Sequence, residues 1–238
     1  MPTLANFTHR PLTLSSSPLV LNPQGPGTFY FAFGSNLSPT QMAIRCTSTP
    51  TRSSLPIAIA RLRGWKWHIN KRGCANIAYT GNIKQNQDEE MNEVWGIVYD
   101  MSVEDEEILD GYEGVDWEAP EAIRNIERSW GTDYARERPT EQGGGRHNKV
   151  YLEVEIVEWK VKAWEEQLGN EKIRVLVYPD EYRTEEGVVR DSYIGRMNRA
   201  IREALGLGLS EEWVSKVVRP VIPEGVEAPD GYVGGDGK

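Results

Sequence analysis

Two short segments carry residue types that can do chemistry. The first is Tyr30-Phe31-Ala32-Phe33-Gly34-Ser35-Asn36-Leu37, an aromatic, β-prone run closed by a small polar turn. Ser38-Pro39 follows as an N-cap with proline at the first helical position, which starts a helix over about 39–46. Strand, tight glycine turn and helix bring backbone N–H groups to one point, and such a point binds anions. The second segment is Leu109-Asp110-Gly111-Tyr112-Glu113-Gly114-Val115, which sets carboxylates among glycines. Taken singly, each is a common turn, and a Glu before a Gly is usually a solvated loop residue. Dinucleotide, P-loop, serine-hydrolase and zinc-protease patterns are absent. Cys46 and Cys74 form no CxxC, and His9, His68 and His147 are scattered. That argues against a disulfide scaffold and against a histidine-built metal site.

The elements that must position these segments are short. Pro56–Leu62, Trp65–Asn70, Ala75–Tyr79 and Glu93–Tyr99 read as strands, the first three parted by Arg63-Gly64 and Arg72-Gly73 turns. Ser102, with Asp105 three residues on, starts an acidic helix that Gly111 is placed to stop. On it Asp105, Glu106 and Glu107 read as a solvated face, and Asp110 as a cap or support for the Glu113 loop. Val150–Val161 and Ile173–Tyr178 are further strands. Tyr193–Leu205 carries Ile194, Met197, Ile201 and Leu205 at helical spacing. Ser210 caps a last helix to about Val218. Residues 1–27 form an N-terminal arm, about 119–148 an insertion with some helix near Ala122–Trp130, and 219–238 an irregular tail around a 28–218 domain.

The 238 residues suit one domain with additions, and no apolar run is long enough to span a membrane. The net charge of −9 is unevenly spread. Residues 1–87 hold nine Lys/Arg and no acid, while all 36 acids and 18 bases lie beyond. The simplest reading is that opposite charges meet across the fold. An acidic chain does not favour nucleic acid, and Trp65, Trp67 and Trp95 read as core or pocket wall. Arg72 is a candidate partner for a substrate carboxylate, and Cys74 a candidate cavity residue.

Together and in this order, the two segments resemble the signature of the γ-glutamylcyclotransferase family, a strand ending in (F/Y)xxYGSN with a later (L/D)xxEGV. Arg61-Leu62, Arg72-Gly73-Cys74-Ala75-Asn76-Ile77 and Val94-Trp95-Gly96-Ile97-Val98-Tyr99 are similar to the family as well. The resemblance covers 28–118 well and 150–215 loosely. It implies an α+β fold, a small mixed, mainly antiparallel β-barrel with flanking helices. It implies a small γ-glutamyl substrate, release of 5-oxoproline, and no metal or organic cofactor. Carried over by position, Tyr30 through Ser35 form the substrate loop, Asn36 supports it, Glu113 is the catalytic carboxylate and Tyr178 a substrate-contacting tyrosine. The usual tyrosine before Gly-Ser-Asn is Phe33 here, so a hydroxyl is missing beside the loop.

The chemistry fits one carboxylate. A γ-glutamyl compound carries its own nucleophile, and holding the chain bent exploits proximity. One carboxylate can take a proton from the α-amino group and return one to the leaving amine. Turn N–H groups at Gly34–Asn36 either clamp the α-carboxylate or stabilise the oxyanion. Asn36-Leu37-Ser38 is a glycosylation sequon inside the proposed loop, which favours a cytosolic protein, as do unpaired cysteines. Glutathione- and γ-glutamylamine-specific enzymes are neighbouring alternatives, and a silent binding module on the same fold is another. The sequence leaves the leaving group and the oligomeric state open.

Overall fold

In a computed structural model of the chain, which describes residues 27–81, 92–119, 142–169 and 172–229, five strands close a barrel. They are β1 (Gly27–Ala32), β5 (Glu93–Ser102), β2 (Pro56–Arg63), β6 (Val150–Trp159) and β7 (Lys172–Val177), in that order. All pairings are antiparallel except the closing one, where Tyr30 meets Leu176 in parallel. The mixed, mainly antiparallel barrel with flanking helices is the fold class that the family resemblance implies. β3 (Trp65–Ile69) and β4 (Ala75–Tyr79) form a separate hairpin. The hairpin reaches the first segment directly, because Trp67 Nε1 donates to the Phe33 carbonyl at 2.9 Å.

Helices cover the rest: α1 (Pro39–Arg45), α2 (Pro50–Ser53), α3 (Val103–Glu113), α4 (Lys162–Leu168), α5 (Asp191–Gly206) and α6 (Glu211–Trp213), which runs into a π turn at Val214–Val218. Three serine caps hold as the sequence predicts. The side chains of Ser38, Ser102 and Ser210 accept from the N–H groups of Gln41, Asp105 and Trp213. α5 buries Tyr193, Met197, Ala200, Ile201 and Ala204, while Ile194 and Leu205 lie at the edge of that stripe.

Two expectations about α3 are corrected. The helix does not stop at Gly111 but runs on to Glu113. The left-handed turn is made by Gly114, at φ 67°, with its N–H on the Asp110 and Gly111 carbonyls. Nor are all its acids solvated: Asp105 and Glu106 are buried. Asp105 accepts from the backbone N–H groups of Ser48 and Thr49 and from the hydroxyls of Thr49 and Ser53. Glu106 sits between Lys149 and the Thr28 hydroxyl. These bonds tie α3 to the α1–α2 link at one end and to β1 and β6 along its flank.

Among the described residues, every base before position 88 pairs with an acid beyond it. Arg45 meets Glu113, Arg52 meets Asp100, Arg61 and Arg63 share Glu155, and Lys66, Lys71 and Arg72 meet Glu186, Glu185 and Asp180. Residues 1–26 of the expected arm, the expected helix near Ala122–Trp130 and the end of the tail lie outside the described residues, while Gly27 opens β1. The described tail has no regular structure but docks on α5, where Ala228 N–H donates to Gly195 and Arg199 to the Pro229 carbonyl.

Burial raises the Asp105 pKa, but its four donors outweigh that and hold it below its ordinary 3.8. The stability this adds is present above that value and lost as pH falls through the lower folded value. Asp105→Asn is expected to cost about 1–3 kcal/mol at neutral pH and to flatten the acid limb of stability. Urea unfolding from pH 7 down to 3 checks both, and an unchanged acid limb would contradict the assignment.

Candidate active site

The first segment ends in a single 3-10 turn, Ser35–Leu37, set between β1 and α1. Glu113, as the last residue of α3, comes to meet it. Asn36 Nδ2 donates to Glu113 Oε1 at 3.1 Å and to the Tyr30 hydroxyl at 2.9 Å. Asn36 Oδ1 accepts in turn from Gln41 Nε2 at 2.9 Å and from Arg45 at 3.1 Å. Arg45 also reaches Glu113 Oε1 at 3.2 Å. The two segments, 77 positions apart from Asn36 to Glu113, are thus one hydrogen-bonded unit.

A pocket opens above it, lined by Tyr30, Phe33, Gly34, Ser35, Asn36, Glu113 and Tyr178, together with residues the sequence reading did not assign. Phe31 and Ala32 are the exceptions. Both are fully buried in the barrel core and do not line the pocket. They stand opposite Val98 and Ile97 of β5; as strand neighbours they point to opposite faces, and both faces are packed there. Arg72 and Cys74 line the pocket as well. Trp65 and Trp67 are buried outside it.

The turn amides are not equivalent. Ser35 N–H is taken by the Tyr193 hydroxyl at 3.1 Å. Those of Gly34 and Asn36 have no partner among the described residues. Tyr178 faces the pocket with its hydroxyl committed, donating to Asp110 Oδ1 at 2.7 Å. Asp110 is buried, and burial raises its pKa against the opposing effect of Lys149, 2.7 Å away. Asp110 supports the pocket wall rather than facing it.

Seven pocket residues escaped the sequence reading: Arg45, Ala75, Tyr112, His147, Arg190, Tyr193 and Arg196. Arg45 had a signal, since Ser38, Gln41 and Arg45 follow one face of the capped helix α1. Arg190, Tyr193 and Arg196 had a similar one at spacing three, and both arginines stack on the Tyr193 ring. His147 had none. It falls in the stretch expected to be an insertion, yet it lines the pocket. Gln142 donates to the Arg146 carbonyl and to Asp180. His147 Nδ1 lies 2.7 Å from the Glu113 carbonyl and 3.2 Å from Glu113 Oε2. Burial lowers its pKa below the ordinary 6.5, against the pull of the Glu113 charge.

Asn36→Ala strips partners from Tyr30, Gln41, Arg45 and Glu113 together. The expected loss is about 1–3 kcal/mol of stability, read as a lower urea midpoint. An unchanged midpoint would contradict the central place given to this side chain.

No family model and no curated protein matches the sequence. Solved structures do. An uncharacterized human protein is 20% identical over 88% of this chain and 92% of its own, with a TM-score of 0.49. A protein named γ-glutamyl cyclotransferase is 18% identical over 88% of this chain and 93% of its own, with a TM-score of 0.47. YkqA of Bacillus subtilis is 16% identical with a TM-score of 0.51, the match covering 85% of this chain and 57% of YkqA. At such identities the likeness is of fold alone, and the chain has the barrel fold that it shares with YkqA, with proteins bearing the γ-glutamyl cyclotransferase name among its structural neighbours.

Proposed function

We propose that the chain is a γ-glutamylcyclotransferase, with Glu113 as its general base and acid. The observation that carries this reading is the direct hydrogen bond between the Gly-Ser-Asn turn and Glu113 at the floor of one pocket. In the proposed reaction the α-amino group of a γ-glutamyl amino acid or peptide attacks its own γ-carbonyl. Glu113 takes a proton from that amine and delivers one to the leaving nitrogen. Asn36 and Arg45 hold the carboxylate at Oε1. The open amides of Gly34 and Asn36 are positioned to meet a developing oxyanion or the α-carboxylate.

The lining charge bears on the leaving group. Arg45, Arg72, Arg190 and Arg196 face the pocket against the single carboxylate Glu113. That excess of positive charge supports a substrate with a second carboxylate, a γ-glutamyl amino acid or peptide, over a γ-glutamylamine. A cytosolic location goes with this reading. The Asn36 side chain is 4% exposed and fully engaged, so a glycan on its sequon is incompatible with the site. No helix among the described residues is long and apolar enough to cross a membrane.

The test is 5-oxoproline release from γ-glutamyl-alanine, a γ-glutamyl-alkylamine and glutathione. Wild type is expected to turn over the carboxylate-bearing substrates about tenfold or more faster than the alkylamine, the worth of one charged contact. Folded Glu113→Gln is expected to lose on the order of 10²–10⁴-fold in rate. Saturable binding with no product from any of them would favour the silent binding module instead.

A further inference from the structure

This reaction moves two protons from the attacking nitrogen to the leaving nitrogen. The attacking nitrogen starts as –NH3⁺ and ends as a lactam N–H, so it loses two protons. The leaving nitrogen starts as an amide N–H and ends as R–NH3⁺, so it gains two. The new C–N bond forms at the γ-carbon as the old one breaks, and no oxidant is involved. Glu113 can hold one proton at a time.

We propose that His147 is the second proton-carrying group of the site, on the reading that the chain is a γ-glutamylcyclotransferase. Its Nδ1 is 2.7 Å from the backbone carbonyl of Glu113. A carbonyl oxygen only accepts, so Nδ1 carries the ring proton and Nε2 carries the lone pair. Nε2 makes no hydrogen bond among the described residues, and the ring lines the pocket. The same Nδ1 lies 3.2 Å from Glu113 Oε2, the oxygen that Asn36 and Arg45 leave untouched. One short contact therefore fixes the tautomer, aims the lone pair and couples the two carriers.

The other pocket groups do not offer that lone pair. Arginines have none. The Tyr178 hydroxyl proton is spent on Asp110 and the Tyr193 hydroxyl is engaged with Ser35. Burial raises the pKa of Tyr30, Tyr178 and Tyr193, Tyr193 to about 12. The imidazole is instead neutral at pH 7, since burial lowers its pKa. The charges that face it are Glu113 from α3, Arg72 from the β3–β4 turn and Asp180 beyond β7, with Arg45 of α1 on the far oxygen of Glu113. Glu113 and Asp180 favour the imidazolium, and Arg72 opposes it.

The experiment is the pH dependence of kcat and kcat/KM on γ-glutamyl-alanine from pH 4 to 9, for wild type, His147→Asn and His147→Gln. Asparagine keeps a donor for the Glu113 carbonyl, and glutamine keeps a polar group toward the pocket. An acid step below 6.5 is expected in wild type, because the imidazole must start unprotonated. Loss of that step in either folded variant, with kcat down on the order of 10²-fold and KM little changed, is the supporting result. A wild-type rate that stays flat from pH 7 down to 4 overturns the proposal without any variant. So does a folded variant that keeps kcat and that step. Wild type that releases no 5-oxoproline overturns the cyclotransferase reading, and this proposal with it.

Discussion

A carboxylate taken largely out of water must be met by donors, and most of this molecule is arranged around that need at Glu113. Asn36 comes from the turn after β1, Arg45 from the end of α1, and His147 from the approach to β6. These three are remote in sequence, so the barrel and its helices have to close before the side chain has any partners. The positions of the ends of α1 and α3 follow from this. The Asp105 network sets where α3 begins, and Gly114 sets where it ends, one residue past Glu113. A helix stopping at Gly111 would leave Glu113 in solvent, away from the turn.

A second layer supports the first. Lys149 binds Glu106 and Asp110 behind α3, and Asp110 takes the Tyr178 hydroxyl. Tyr193 closes the other flank by engaging Ser35. The segregation of charge along the chain has the same architectural meaning. Its basic first third and acidic remainder meet residue by residue, from the buried Arg52–Asp100 pair to the exposed Lys71–Glu185 pair. Exposed pairs contribute little energy each. Their consistent direction, early base to late acid, matches a fold in which β2 and the hairpin pack against later strands and loops.

What was legible in the sequence was local. Serine caps at 38, 102 and 210, the strand alternation, and the pairing of Gly34-Ser35-Asn36 with Glu113 depend on neighbours a few residues away, or on two recognisable segments. What was not legible depended on return from a distance. His147 sits 34 positions past Glu113 in a glycine-rich stretch with no periodicity, and nothing local marks it. The helix end at Gly114 rather than Gly111 is decided by which glycine adopts positive φ, and both sequences read alike. Asp105 and Glu106 look solvated because nearby residues are acidic; their partners Ser48, Thr49 and Lys149 are about 40–60 positions away. Phe31 and Ala32 were included in the substrate loop because they belong to the motif, but both faces of β1 are packed at that point and neither residue lines the pocket.

The central claim is that Glu113 handles the proton of the attacking amine, and a crystal structure of Glu113→Gln with intact γ-glutamyl-alanine tests it most directly. The expected result is the γ-glutamyl group in the pocket beside the Gly34–Asn36 turn, its α-amino nitrogen about 3 Å from the residue 113 side chain. A ligand bound with that nitrogen turned away from residue 113, or bound outside this pocket, would contradict it.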